Sequence, residues 1–274
     1  MSKMRIILLD VGWGDSIIIE SEDSKGKLYY GLIDCNDTST NLATFNFFKR
    51  RLGTKNVPYS KKGHVFDFVL LTHDHADHSQ GLKGMMREFG TKWFWYPKEQ
   101  QRTLQASLMA FANRSKRVEN QQALDNTVIL PDLGDVSMKV LWPAPDYLHK
   151  NQNNNSVVLL LTLGEDSFLL TGDAEADVWS EIADQIPENV KFFKVPHHGS
   201  VNGSFDKDNA PAWLKNCPSA ATLGISCWKR FGHPHKEVLD LFINHNRQYL
   251  RTDIHYHIIA ETDGKSGVNL TYHR

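Results

Sequence analysis

Thr72-His73-Asp74-His75-Ala76-Asp77-His78 sets three histidines and two aspartates within six consecutive positions, and Gly81-Leu82 follow closely. Imidazole and carboxylate are the ligand types that suit Zn²⁺, Mn²⁺ or Fe. The segment just before, Val65-Phe66-Asp67-Phe68-Val69-Leu70-Leu71, is short, β-branched and aromatic, which is the pattern of a largely buried strand. A rigid strand end supplies a platform, and the loop after it lets closely spaced side chains converge on one centre. One histidine in such a place reads as a polar loop. Three, with Asp77 ahead of the last, read as a metal site.

The pattern Thr-His-Xaa-His-Xaa-Asp-His after a hydrophobic strand resembles the signature of the metallo-β-lactamase superfamily. The resemblance implies two metal sites, the first held by His73 and His75 and the second by Asp77 and His78, with Asp74 at a variable position. It also implies a four-layer αββα sandwich.

One loop cannot surround two ions, so further ligands must come from other strand ends. Asp173 follows the apolar strand Phe168–Thr171 in Gly172-Asp173-Ala174-Glu175. Taken alone it suits a helix N-cap equally well; the superfamily's Gly-Asp at this place implies a bridging carboxylate. His197-His198-Gly199-Ser200 ends a strand over Val190–Val195. Adjacent histidines point in different directions, so one ligates metal and the other meets substrate or supports the site. Their order is open from the sequence; we assign His197 to metal and His198 to catalysis. In Gly232-His233-Pro234-His235, His233 is the favoured ligand and His235 a supporting or substrate-facing group, against a plain helix start with proline near its first position. The catalytic set expected is Asp77, His198 and His235. The metal set is His73, His75, Asp77, His78, Asp173, His197 and His233.

A narrower resemblance joins five blocks in order. They are Leu9-Asp10-Val11-Gly12-Trp13-Gly14-Asp15-Ser16, Asn155-Ser156-Val157-Val158-Leu159, Leu169-Leu170-Thr171-Gly172-Asp173-Ala174-Glu175, Val195-Pro196-His197-His198-Gly199-Ser200 and Gly232-His233-Pro234-His235. From about Ile6 to Asp253 the chain resembles the soluble metallohydrolase domain of the competence DNA-uptake channel and its free-standing relatives. Trp13 stands where that branch has glutamine, at the rim of the site. The channel's membrane segments are absent, so a role in import does not carry over. The separate histidine that many superfamily members place between the first motif and the Gly-Asp is missing too; Asn154-Asn155-Ser156 stand there. Site 1 is then completed by His197 or His198, or is the weaker site.

The elements that position these residues can be read from periodicity. Arg5–Val11 and Ser16–Glu20 form a hairpin about a glycine turn, and Leu28–Asp34 a third strand. Helices are expected near Leu42–Phe48, Gly81–Phe89, Leu104–Arg114 and Val238–Ile243, and one opening at Asp173 through Ile182. Strands are expected at Trp93–Tyr96, Val128–Leu130, Val136–Trp142, Ala221–Ile225 and three times near the C-terminus. Val157–Leu163 and Phe168–Thr171 make a second hairpin, after a polar loop at Asn151–Asn155. With no linker or composition break, the reading is one α/β (α+β) domain over residues 1–274, two mixed sheets face to face with helices outside.

Composition bounds the partners. With 41% hydrophobic and 23% charged residues the chain is ordinary globular protein, and a net charge of −1 excludes a broadly basic nucleic-acid field. Attraction to a strand would rest on the metals or on local patches such as Lys61-Lys62, Arg114-Ser115-Lys116-Arg117 and Lys229-Arg230. Trp93, Phe94, Trp95 and Trp228 are either stacking surfaces or core. Cys35, Cys217 and Cys227 are few and odd in number, the N-terminus lacks a signal-peptide pattern, and apolar runs are strand-sized, so a cytoplasmic protein without membrane spans is expected. Asp10, Asp15 and Asp34 read as groups that orient a ligand or hold a turn. The expected function is a hydrolase with two divalent ions (Zn or Mn) and a hydroxide between them as nucleophile. Its substrate would be nucleic acid or a small phosphodiester. The alternatives are an ester, lactone or thioester hydrolase, and a protein partner in a multi-protein assembly, phage defence included.

Overall fold

The first strand, β1 (Lys3–Leu8), sends Ile6 and Leu8 into one apolar layer and Ile7 into another, so it is covered on both faces. The computed structural model describes residues 1–57, 63–98, 103–265 and 267–273; Lys61-Lys62 lie outside them. β2 (Ile17–Glu22) and β3 (Leu28–Ile33) continue antiparallel. The connection then changes to crossovers. After α1 (Ala43–Thr54), β4 (Phe66–Leu70) joins β3 in parallel. After α2 (Ala76–Ser79) and α3 (Leu82–Phe89), β5 (Thr91–Pro97) joins β4, and after α4 (Thr103–Arg114), β6 (Val118–Leu124) joins β5.

The second sheet repeats this grammar. β7 (Ser137–Trp142), β8 (Val158–Leu163) and β9 (Asp166–Leu170) form an antiparallel meander. Then α5 (Ala176–Ile182), β10 (Val190–Lys194), α6 (Val201–Ser204), β11 (Thr222–Ile225), α7 (Lys236–Asn244) and β12 (Tyr249–Arg251) add three parallel strands. After α8 (Thr252–His255), β13 (His257–Thr262) and β14 (Val268–His273) return to the first sheet beside β1. The orders are β14-β13-β1-β2-β3-β4-β5-β6 and β12-β11-β10-β9-β8-β7.

Ile6, Leu8, Ile17, Ile19, Phe68 and Leu70 meet Leu159, Leu161, Phe168, Leu170 and Phe192 between the sheets. Each such side chain contributes about 1.5–3 kcal/mol of burial. Two outer layers cover the other sheet faces. α3 turns Leu82, Met85, Met86 and Phe89 inward at helical spacing, and α7 does the same on the other sheet with Val238, Leu241 and Phe242. The αββα sandwich expected from the resemblance is the architecture observed. No described helix is long and apolar enough to cross a membrane.

One strand goes beyond the expectations from sequence, and two local expectations differ from the structure. Val118–Leu124 is a strand despite its polar Glu-Asn-Gln-Gln centre, because as the terminal strand it needs only backbone pairing to β5. Val128–Leu130 makes a single bridge, Ile129 to Lys139, with Ile129 95% exposed. The helix expected from Asp173 begins only at Ala176, with Glu175 at its N-cap position.

Topology also fixes where chemistry sits. β4, β10 and β11 run parallel to their neighbours, and each hands its C-terminal end to a histidine-bearing loop. That is the edge of a parallel sheet where ligands bind.

Candidate metal centre

His73 leaves β4 fully buried, and α2 brings His78 back against it, with ring centroids 4.2 Å apart. Asp173, beyond β9, puts Oδ2 among four imidazole Nε2 atoms. These are His78 at 3.2 Å, His198 at 3.4 Å, His73 at 3.8 Å and His197 at 4.0 Å. His75 Nδ1 lies 3.1 Å from His73 Nε2. Asp77 Oδ2 lies 3.6 Å from His198 Nε2 and 3.8 Å from His78 Nε2. Gly14 (φ +90) lets the opening turn rest on this loop, since a Cβ there would lie 2.1 Å from the Asp77 carbonyl oxygen.

Each imidazole around Asp173 has its other nitrogen engaged from behind. His73 Nδ1 donates to Thr72 Oγ1 at 3.1 Å, and that hydroxyl donates to Asp34 Oδ2 at 2.6 Å. His78 Nδ1 donates to the same Asp34 oxygen at 2.7 Å, and His198 Nδ1 to the Ser226 carbonyl at 3.0 Å. His197 Nδ1 lies 3.0 Å from Glu175 Oε1, and Glu175 is itself gripped by the amides of Asn151 and Asn153. These acceptors assign the Nδ1–H form and turn every Nε2 toward the cluster, which is how oriented metal-binding histidines are held.

The cluster fits divalent cations. His78 Nε2, His198 Nε2 and Asp173 Oδ1 are buried without a hydrogen-bond partner. Leaving a buried polar atom so costs about 1–3 kcal/mol, and imidazole with carboxylate is a donor set for Zn²⁺ or Mn²⁺. Beneath it lies a fully buried cation. Lys194 Nζ is 2.6 Å from Asp15 Oδ2 and 3.8 Å from Asp173 Oδ1, and donates to the Gly172 carbonyl at 2.9 Å.

Charge balance sets protonation. Burial pulls the His198 pKa down, but Asp173, Asp77 and Asp15 outweigh it and raise it to about 9. His78 is raised in the same way, burial being overcome by Asp173, Asp34 and Asp77. Burial favours a neutral Asp173, yet His198 and His78 hold it ionised. Metal uptake must therefore displace protons. Affinity is expected to rise with pH from about 6.5, the ordinary histidine value, to about 9. The metal-free fold behaves oppositely: stabilisation by protonated His198 is complete below about 6.5 and gone once pH has risen through its folded value. Calorimetric metal titrations in buffers of differing ionisation enthalpy read the released protons; an affinity flat with pH would contradict this.

The structure thus brings together His73, His75, Asp77, His78, Asp173, His197 and His198. The two adjacent histidines, whose order the sequence leaves open, differ in depth. His198 is fully buried and meets both Asp77 and Asp173, while half-buried His197 meets Asp173, Glu175 and the Asn153 amide. Both sit at positive φ, +46 and +54, so the chain coils tightly after Pro196 and tucks the second ring under the first. His233 stays at the rim, its ring 5.9 Å from His197. His235 lies outside the cluster, its Nδ1 accepting from the Val201 N–H at 3.0 Å. Sequence reasoning missed Lys194, Glu175, Thr72 and Asn153. Only Lys194 had left a signal, since alternation in β10 puts it on the inward face with Phe192.

The family description "Metallo-beta-lactamase superfamily" matches residues 65–210. ComE operon protein 3 of Bacillus subtilis (strain 168) is 28% identical over 281 aligned positions, 92% of this chain and 32% of that protein. Recombination protein 2 of Haemophilus influenzae is 24% identical over 235 positions, 85% of this chain and 25% of that protein. The chain spans about a third and a quarter of these relatives' lengths. Among solved structures, a variant of CmlA β-hydroxylase matches with a TM-score of 0.53 at 14% identity, over 93% of this chain and 53% of that one. CmlA itself, described as a diiron β-hydroxylase from Streptomyces venezuelae, matches with a TM-score of 0.50 at 14% identity, over 90% and 52%. At such identity the likeness is one of fold alone.

Proposed function

Because the chain belongs to the metallo-β-lactamase superfamily, we propose that it is a two-metal hydrolase that cleaves phosphodiesters, nucleic-acid strands foremost. The observation that carries the two-metal reading is the ring of four Nε2 atoms around Asp173 Oδ2, each held from behind. His73, His75 and His197 would hold one ion and Asp77, His78 and His198 the other, with Asp173 between them. His197 then stands in for the histidine missing before the Gly-Asp, and His198 is a ligand rather than a free catalytic group. Bound ions would supply Lewis acidity and bring the pKa of a coordinated water near neutrality.

The remaining work falls to the protein. Asp34, Thr72, Ser226 and Glu175 keep the rings from turning. His233, with a buried Nδ1 that lacks a partner, stands where developing charge on a substrate oxygen would need a donor. His235 holds the backbone of the preceding loop rather than touching substrate. The phosphodiester preference is supported by the branch resemblance, by a relative named for recombination, and by Lys229-Arg230 near the rim. Arg114–Arg117 precedes β6, at the opposite edge of the parallel strands, and Arg117 is spent on backbone carbonyls of Arg87 and Glu88. A cytoplasmic setting and a protein partner belong to the same proposal.

Purified protein with Mn²⁺ or Zn²⁺ should cleave labelled single-stranded DNA, RNA or a small phosphodiester, and chelation or Asp77→Ala should stop it. Lactone or thioester turnover with every phosphodiester intact would sink the reading in favour of an ester hydrolase. Full activity in Asp77→Ala would sink the metal assignment.

A further inference from the structure

An aromatic ledge leads out of the metal centre, and the metal chemistry makes no use of it. Trp13 lies 4.8 Å from the His198 ring and stacks on His233 at 5.1 Å and 20°. Phe231 follows 4.7 Å beyond Trp13, and Trp228 5.3 Å beyond Phe231. Phe231 is 53% exposed and Trp228 36% exposed, whereas Phe94 and Trp95 are buried in the apolar layers. The opening turn packs beneath this loop, where a Cβ on Gly12 would make ordinary contact with the Trp228 ring at 3.6 Å. The turn that bears Phe231, Lys229–Phe231, carries two exposed cations, Lys229 and Arg230, with the guanidinium 5.5 Å over Trp228. From Ser226 to His235 there is no acidic residue.

We propose that Trp13, Phe231 and Trp228, with Lys229 and Arg230, form a base-binding subsite that stacks an unpaired nucleobase beside the phosphodiester presented to the metals. Its place in catalysis rests on the phosphodiesterase reading, though binding can be measured without hydrolysis. Every base offers a π-face, so rings in this position hold a strand without reading its sequence. Cations beside them neutralise the flanking phosphates locally, which reconciles strand binding with a net charge of −1. Bases stacked within a duplex do not offer their faces, so the expected partner is a single strand. An apolar leaving group would also fit the rings but would leave both cations idle.

The test is equilibrium binding of the metal-loaded chain to two labelled strands of equal length and charge, one oligothymidylate and one abasic. Phosphorothioate linkages in both slow hydrolysis. The base-bearing strand should bind roughly 10-fold tighter. Phe231→Ala and Trp228→Ala should each remove most of that difference with metal content retained, and Phe231→Tyr should restore it. Lys229→Ala with Arg230→Ala should weaken both strands alike and flatten the salt dependence. Equal binding of the two strands, no binding, or discrimination that survives both alanine variants overturns the subsite. Discrimination without hydrolysis of any phosphodiester keeps the subsite and sinks the proposed function. Hydrolysis of a small phosphodiester without discrimination does the reverse.

Discussion

Asp173→Asn is expected to leave the chain folded but unable to hold two metal ions, with hydrolysis down on the order of 10³-fold, since several kcal/mol of charge stabilisation is lost. Asparagine keeps the shape and would cap a helix as well as aspartate. Capping is not the role in any case, because α5 starts at Ala176 and its N-cap position is Glu175. What the substitution removes is, among the described residues, the one anionic oxygen within 4.0 Å of four imidazole nitrogens. Asp173 is also the leading charge that raises His78 and His198 against their burial. In the metal-free variant both histidines should therefore titrate at lower pH, visible in histidine proton resonances. Elemental analysis of metal content is the direct measurement. Two equivalents retained per chain would show that Asp173 does not lie between the ions.

Much of this arrangement can be read in the sequence, and the gaps have physical causes. The unbroken apolar runs Ile6-Ile7-Leu8 and Ile17-Ile18-Ile19 mark strands covered on both faces, successive residues entering different apolar layers. The His73–His78 loop announces itself because its ligands are neighbours in sequence. Glu175 and Asn153 do not, since the value of each depends on the other and on His197, and all three are far apart along the chain. The run Asn151–Asn155 reads as a solvated loop, yet Gln152 to Asn155 are buried. Asn153, Asn154 and Asn155 find partners there in Glu175, Asp177 and the His149 backbone, whereas Gln152 Oε1 and Asn153 Oδ1 are buried without one. The order of His197 and His198 is illegible for another reason. It depends on two successive residues at positive φ, which sequence pattern does not forecast.

Lys194→Met should destabilise the metal-free protein by about 3–5 kcal/mol, the usual consequence of removing one partner from a buried ion pair. At about 2 °C per kcal/mol for a chain of this size, that is a fall of roughly 6–10 °C in Tm. The lysine is 0% exposed and its ammonium is 2.6 Å from Asp15, which is equally buried. Burial alone would lower its pKa, but Asp15 and Asp173 raise it, so the group is charged at neutral pH. Methionine fills similar volume, which separates the charge from the packing. Asp15→Asn with Lys194→Met should recover a large part of the loss, because both charges then go together. Metal binding should tell the two roles of the lysine apart. Asp15 and Asp34 bring negative charge behind the histidines, and Lys194 offsets it without competing for the Nε2 positions. Without the lysine, that surplus charge should draw divalent ions more tightly even as the metal-free fold weakens. A Lys194→Met protein with weaker metal binding and an unchanged metal-free Tm would show that the lysine braces the Gly172 carbonyl and does not balance charge.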